Sequence, residues 1–157
     1  MCSFIRPKER EFSIIRKNIL EKLNRYFETW VQGHFSYPSY CFREEEKNYL
    51  NFLNFVKDNP SCFARENLLG HITASAIIID YSFENILLTH HRKLNKWLQL
   101  GGHSDGDPDT EAVAMREAKE ESGLEDLVFL TWGQGGEILD LDIHLIPQNK
   151  KELNYCQ

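Results

Sequence analysis

The chain has no run of about 20 apolar residues, the length a helix needs to cross a bilayer, so no transmembrane helix and no membrane partner is expected. It has no surplus of positive charge either. Lys and Arg number 18 against 24 Asp and Glu, a formal net charge of −6, which argues against nucleic acid as a partner because phosphate backbones are met by a basic stripe. The four cysteines, Cys2, Cys41, Cys62 and Cys156, are far apart and include no C-x-x-C pair to suggest zinc. They are expected as reduced thiols of a cytoplasmic protein. The opening residues MCSFIRPKEREF lack the apolar stretch of a secretory signal, which agrees with that location. There is no internal repeat and no low-complexity tract. What remains is an ordinary globular composition in 157 residues, enough for one compact domain with length to spare for an appendage.

Apolar periodicity places helices first. Phe12, Ile15, Ile19, Leu20, Leu23, Phe27 and Trp30 recur mostly at three- and four-residue intervals, predicting an amphipathic helix over residues 9–31. Ser36, Pro38 and Ser39 mark residues 34–40 as a loop. Tyr49, Phe52, Leu53 and Val56 make one stripe of a second helix over residues 43–57, which Asn59-Pro60-Ser61 stops. Residues 1–66 are therefore expected as a helical extension packed on a main domain of residues 67–157.

From Gly70 the pattern changes to short β-rich runs. Residues 71–79 and 85–91 predict two strands around a turn at 80–84, and residues 96–100 a third that ends in a glycine turn. Residues 127–132 and 138–146 are further candidates. In the last, Leu139, Leu141, Ile143 and Leu145 alternate with Asp140, Asp142 and His144. Those three polar residues either face solvent or border a site. Helices followed by strands around one central helix imply an α+β layered domain.

The most specific stretch is residues 101–124, GGHSDGDPDTEAVAMREAKEESGL. A glycine-rich turn leads into a helix, with Asp107 as its expected cap, Pro108 at its first position, and Asp109 and Glu111 at the positive end of its dipole. Gly123 fits a left-handed C-terminal cap. Glu117, Glu120 and Glu121 stand three and four residues apart and so share one arc of the helix. Ala114, Met115 and Ala118 lie on another arc and can approach a sheet, while Arg116 is placed to hold one of the carboxylates. Three carboxylates on one face repel each other. Hard divalent cations, Mg2+ or Mn2+, want such oxygen ligands while phosphate oxygens complete their shell. The stretch therefore points to a metal site for phosphate chemistry, against the duller reading of a charged helix surface.

This segment resembles the signature of the Nudix hydrolases, G-x5-E-x7-R-E-U-x-E-E-x-G-U, where U is bulky or apolar. Gly102, Arg116, Glu117, Ala118, Glu120, Glu121, Gly123 and Leu124 fall on its fixed positions; Pro108 stands where the signature has its first glutamate, for which Glu111 or Asp109 could substitute. GHITASAIIID, LLTHHRKLNKWLQLGGH and DLDIHLIP look similar to the framework strands of a bacterial-type branch with an N-terminal helical extension. The resemblance implies an α/β/α sandwich with a mixed sheet. It also implies metal-dependent hydrolysis of a diphosphate bond in a nucleoside diphosphate linked to another moiety. Carried over by position, Glu117, Glu120 and Glu121 would bind Mg2+ or Mn2+ with the carbonyl of Gly101, and Glu120 or Glu121 would be the candidate general base.

His90, Arg92, Lys93 and Lys96 lie close in sequence to the glycine turn and could grip phosphate, or form only a solvated hairpin tip. His103 is divided between substrate contact and loop packing. The nucleotide-type small-molecule substrate itself is beyond motif logic, because the loops that read it vary independently of the fold. Domains of this family usually continue through a further strand and helix, whereas here LDLDIHLIP is followed by the polar QNKKELNYCQ. An unpaired edge strand is a pairing liability, which raises the expectation of a homodimer. Pro108 and the short C-terminus also favour an alternative from another class: a Nudix-fold module that binds a nucleotide or protein partner without turnover.

Overall fold

The structure, a computed structural model, describes residues 7–28, 39–92, 94–130 and 138–145. Two helices come first, α1 (Pro7–Tyr26) and α2 (Ser39–Asp58). Ile19, Leu23 and Tyr26 are buried on α1, Tyr49 and Val56 on α2, at the spacings of three, four and seven that share a helix face. The two faces meet, with Phe27 stacked on Tyr49 at a ring separation of 4.4 Å. Arg16 Nη1 donates to the Lys57 carbonyl at 3.2 Å, satisfying an acceptor that the last turn of α2 leaves free. Asn59 ends α2 by donating from both its backbone and side-chain amides to the Phe55 carbonyl, at 3.0 and 2.8 Å, and Pro60 has no N–H to continue the ladder.

The helix boundaries differ in one instructive way from those expected. Ser39 and Tyr40, expected in a loop, belong to α2. Serine and proline mark helix starts as well as loops, and composition does not separate the two. Trp30 and Val31, the end of the first expected helix, lie outside the described residues.

Leu23, Val56 and Cys62 are fully buried, and Ile19, Tyr26, Tyr49, Phe63, Ile72 and Leu141 join them in one cluster. The helical region thus shares its core with the segment that enters the first strand. Burial pushes the Cys62 thiol above its ordinary pKa. Burial also raises the Tyr26 phenol, whose O–H is donated to Glu45.

Six short strands follow: β1 (Thr73–Ala76), β2 (Ile78–Ile79), β3 (Ile86–Leu87), β4 (Thr89–His91), β5 (Lys96–Leu98) and β6 (Leu100–His103). They pair as β1–β6, β2–β3 and β4–β5, each antiparallel. The two strands expected over residues 71–79 and 85–91 are therefore each divided, at Ile77 and at Leu88. Between β2 and β3, Asp80 organises the turn: its carboxylate accepts from Ser82 Oγ, the Glu84 amide and Asn85 Nδ2 at 3.0, 3.1 and 2.7 Å. These bonds, the one from Asn85 foremost, hold its pKa down to about 2. Ile77, Tyr81, Phe83 and Ile86 are exposed around this hairpin.

A third helix, α3 (Thr110–Ser122), packs against β1 and β6, with Val113, Ala114 and Ala118 buried. Small alanines there let helix and strands approach closely.

The α+β class stands, but the described strands form no mixed sheet. Short turns join β2 to β3 and β4 to β5 and permit only antiparallel pairing there; β1 and β6, distant in sequence, pair antiparallel as well. Beyond α3, where residues 131–132 and 146 of the two expected strands lie outside the described residues, neither residues 127–130 nor residues 138–145 are strand. The expected alternation in the latter fails too: Leu141 is buried while Leu139, Ile143 and Leu145 are exposed. Leu141 instead joins the helical core, where Asn48 Nδ2 donates to its carbonyl at 3.2 Å. A period of two indicates alternating faces; it does not by itself supply a partner strand.

Candidate active site

Gly101 and Gly102 lie within β6, not in the turn that their composition suggests. The reason is a close approach of strands. Gly101 faces Ser75, and a Cβ on Gly101 would come within 2.6 Å of both the Ala74 carbonyl oxygen and Ser75 Cα. Only hydrogen fits there. The chain reverses two residues later, at Asp105 (φ 50°) and Gly106 (φ 89°). This turn is fastened from below: Ser104 N–H donates to the Ile72 carbonyl at 3.3 Å and Gly106 N–H to the Phe63 carbonyl at 2.8 Å. The Arg65 guanidinium holds Asp105 with two bonds of 2.9 and 3.0 Å.

The helix begins later than expected. Asp109, not Asp107, is the cap, its Oδ1 accepting from the Ala112 amide at 3.1 Å. Asp107 accepts from the Asp109 amide at 2.9 Å, closing a local turn over Pro108 and leaving the proline outside α3. The other acid of the first turn, Glu111, forms an ion pair with Lys22 of α1. Both residues that could replace the signature's first glutamate are thus committed to structural contacts. At the far end Gly123 (φ 71°) closes the helix as expected, its N–H donating to the Lys119 carbonyl at 2.8 Å.

The strand glycines and the glutamates at the end of α3 meet. Gly101 N–H donates to Glu121 Oε2 at 3.2 Å. The Glu117 carboxylate lies against Gly102, in space that a Cβ would fill. Arg116 Nη2 donates to Glu117 Oε1 at 3.0 Å and to the His103 carbonyl at 3.3 Å. The carboxylate holds the arginine pKa above its ordinary value. Arg116 thus grips one carboxylate, as its position predicts. Glu120 is exposed.

The donor chemistry fits a hard divalent cation, which takes carboxylate and carbonyl oxygens. The convergence expected from helix spacing is incomplete, however. Among the described residues no group of three or more His, Cys, Asp or Glu side chains is gathered closely enough to hold a metal ion. Glu117 is turned toward Arg116 and Glu121 toward Gly101, while like charges without a cation between them favour separation. Sharing an arc fixes where side chains originate, and their rotamers decide where the oxygens go.

The expected phosphate-gripping residues belong to the β4–β5 hairpin. His90 is on β4, its ring against Trp97 of β5 at 5.0 Å. Arg92 and Lys96 are exposed beside the same hairpin turn, and Lys93 lies outside the described residues. No described hydrogen bond or ion pair joins this group to the glutamates. His103 stands at the end of β6 beside them, and it has a partner that spacing did not reveal: His71 Nε2 lies 2.8 Å from His103 Nδ1. Burial, followed by the Arg65 charge and His71, holds His103 below the usual histidine pKa. Asp140 is exposed, as are Asp142 and His144, which pair with each other at 3.2 Å. They form a solvent face. A recess of about 280 Å³ between α1 and the start of α3 is lined by Lys22, Arg25, Pro108, Asp109 and Glu111; it lies at the opposite end of α3 from Glu120 and Glu121.

Arg65 and His71 carry no motif. They become visible only once β1 and β6 are paired, with Thr73 opposite His103. No family model matches the chain, and no curated protein matches it.

Proposed function

We propose that this chain hydrolyses a diphosphate bond in a nucleoside diphosphate linked to another moiety, with Mg2+ or Mn2+, as its Nudix-like signature implies. One observation supports the reading above others. The two glycines of β6 and two of the signature glutamates, distant in sequence, are in contact, with Glu117 in the space left by Gly102 and Glu121 on the Gly101 amide. A charged helix surface alone gives no reason for that register.

Glu117, Glu120 and Glu121, with the Gly101 carbonyl, would hold the cation after rotation of side chains about their staggered torsions. When bound, such an ion offsets charge on the diphosphate and lowers the pKa of a water. Arg116 holds Glu117 in place from one side. Glu121 already accepts from Gly101, whereas Glu120 is exposed and has no hydrogen-bond partner among the described residues. Glu120 is therefore the freer of the two candidate bases to take a proton from the attacking water.

The opposing reading, a binding module without turnover, draws on the same site: the three carboxylates do not converge, and Arg116 occupies one of them. Phosphate release from a panel of diphosphate-linked nucleotides with Mg2+ or Mn2+ separates the two. Release that drops by orders of magnitude in Glu121→Gln and Glu120→Gln supports the hydrolase. Release undiminished in both variants removes this mechanism. Metal binding by calorimetry without release from any substrate favours the module.

A further inference from the structure

The strands have one covered face and one open face among the described residues. Cross-strand partners share a face, and neighbours along a strand alternate. At Gly102, opposite Ala74, a Cβ would meet Glu117, so α3 lies on the Ala74–Gly102 side. The other side is uncovered. Thr73, Ser75 and Ile77 are exposed where Ala74, Ala76 and Ile78 are not, and Trp97 and Gln99 are exposed where Leu98 and Leu100 are not. The alternation passes through Ile77 and Gln99 without a slip, so the same face continues from β1 into β2 and from β5 into β6. Ile79, two residues from Ile77, lies opposite Ile86 and places it on the open face.

This face is apolar at its middle. Ile77 is 56% exposed, Ile86 59% and Trp97 67%, while Tyr81 and Phe83, in the turn that joins β2 to β3, are 95% and 65% exposed. At about 150–250 Å² for a buried aromatic and about 60–120 Å² for an isoleucine, these five side chains offer about 400–700 Å². Two copies together would bury about 800–1,400 Å², a range that includes the ~1,000 Å² a specific interface needs.

Charge stands at the two ends. Leu88 alone separates β3 from β4. Ahead of them Glu84 is exposed in the β2–β3 turn, and after them Arg92 and Lys96 are exposed at the β4–β5 turn. Asp80 is engaged within its own turn by Ser82 and Asn85, whereas Glu84, Arg92 and Lys96 have no ion-pair partner among the described residues. The order is acidic, apolar, basic. A second copy laid antiparallel sets each acidic end against a basic end and each apolar middle against the other. A twofold axis makes both pairings at once.

We propose that the open face is the interface of a twofold homodimer, in which Ile77, Ile86 and Trp97 of the two copies pack together and Glu84 of each copy pairs with the partner's Arg92. The dimer does not depend on the diphosphate chemistry.

Sedimentation velocity of the full chain over a micromolar concentration series tests it. The wild type is expected to shift from monomer to dimer as concentration rises. Ile86→Asp puts an unpaired charge into the interface and should weaken dimerisation about tenfold or more. Glu84→Arg and Arg92→Glu should each weaken it about fivefold, since like charges then meet at both ends. Mixed in equal amounts, these two variants should form a heterodimer within about twofold of wild-type affinity, because the mixture restores opposite charges at both ends. That rescue separates an interface from a folding defect, and it decides the matter where Ile86→Asp lowers the unfolding midpoint.

Unchanged dimerisation in Ile86→Asp, or a mixture of the two charge variants that stays as weak as either alone, overturns the proposal. A wild type that is monomeric at every concentration overturns it too. A lowered unfolding midpoint in Ile86→Asp would then assign the cover to residues of the same chain, and an unchanged one to a different partner.

Discussion

Adding one methyl group at Gly101 and one at Gly102 should have opposite consequences, although the residues are adjacent on β6. Neither glycine has a positive φ, so the backbone conformation suits alanine. By restricting the unfolded chain, each Gly→Ala exchange would by itself stabilise by about 0.4–1 kcal/mol. At Gly101 the new Cβ would meet backbone, the Ala74 carbonyl and Ser75 Cα at 2.6 Å. The nearest atom is Ser75 Cβ at 2.4 Å and ordinary contact begins at 3.4 Å, so β1 and β6 must part by about 1 Å, beyond what side-chain rotation can relieve, and overpacking of this kind costs about 1–3 kcal/mol or more. At Gly102 the obstacle is the Glu117 carboxylate, the far end of a flexible side chain that can rotate away. Gly102→Ala should therefore leave stability within about 1 kcal/mol of wild type but displace Glu117 and weaken Mg2+ binding. Urea unfolding measures the first effect: a loss of about 3 kcal/mol in Gly101→Ala moves the midpoint down by about 1.5 M at a slope of about 2 kcal/mol/M. Calorimetric Mg2+ titration measures the second. An unchanged midpoint in Gly101→Ala would refute the close-approach argument, and unchanged Mg2+ affinity in a folded Gly102→Ala would refute the placement of Glu117 as a ligand.

Three further outcomes follow from the described contacts. Leu23→Ala removes a fully buried side chain from the cluster shared by α1, α2 and the strand-entry segment, and should cost about 2–5 kcal/mol in denaturant unfolding. Asp109→Ala should lower stability by about 0.5–2 kcal/mol through loss of the α3 cap, with a smaller effect from Asp107→Ala; the reverse order would return the cap to Asp107. Asp80 has a folded pKa of about 2, below an unfolded value of about 3.9. Its contribution is thus present above the unfolded value and lost as pH falls through about 2. The Glu84 and Asn85 amide shifts should titrate with a midpoint near that pH, and Asn85→Ala should move the midpoint upward because the Asn85 side chain is the largest cause of the depression.

Much of α1, α2 and α3 was legible because helix signals are local. The apolar stripes through Ile19 and Leu23 on α1 and through Tyr49 and Val56 on α2, the stop at Asn59-Pro60 and the glycine after α3 each act within a few residues. Strand signals were less complete. The β-rich composition of residues 71–103 was visible, but the breaks at Ile77 and Leu88 were not. Gly101 and Gly102 suggested a turn by composition, whereas Gly101 serves a close approach to Ser75 and Gly102 makes room for Glu117. For Leu139, Leu141, Ile143 and Leu145, alternation indicated a strand, and the structure uses only Leu141, as a plug in the helical core.

By itself the sequence determined that Glu117, Glu120 and Glu121 leave α3 from one arc, that Arg116 stands beside them, and that Gly123 ends the helix, because helical periodicity and capping depend on neighbours a few positions away. Only tertiary structure decided that Gly102 makes room for Glu117, that His71 meets His103, and that Glu117 turns to Arg116 while Glu121 turns to Gly101. Those outcomes depend on which strands pair and which rotamers the packed chain admits, and no local spacing encodes either.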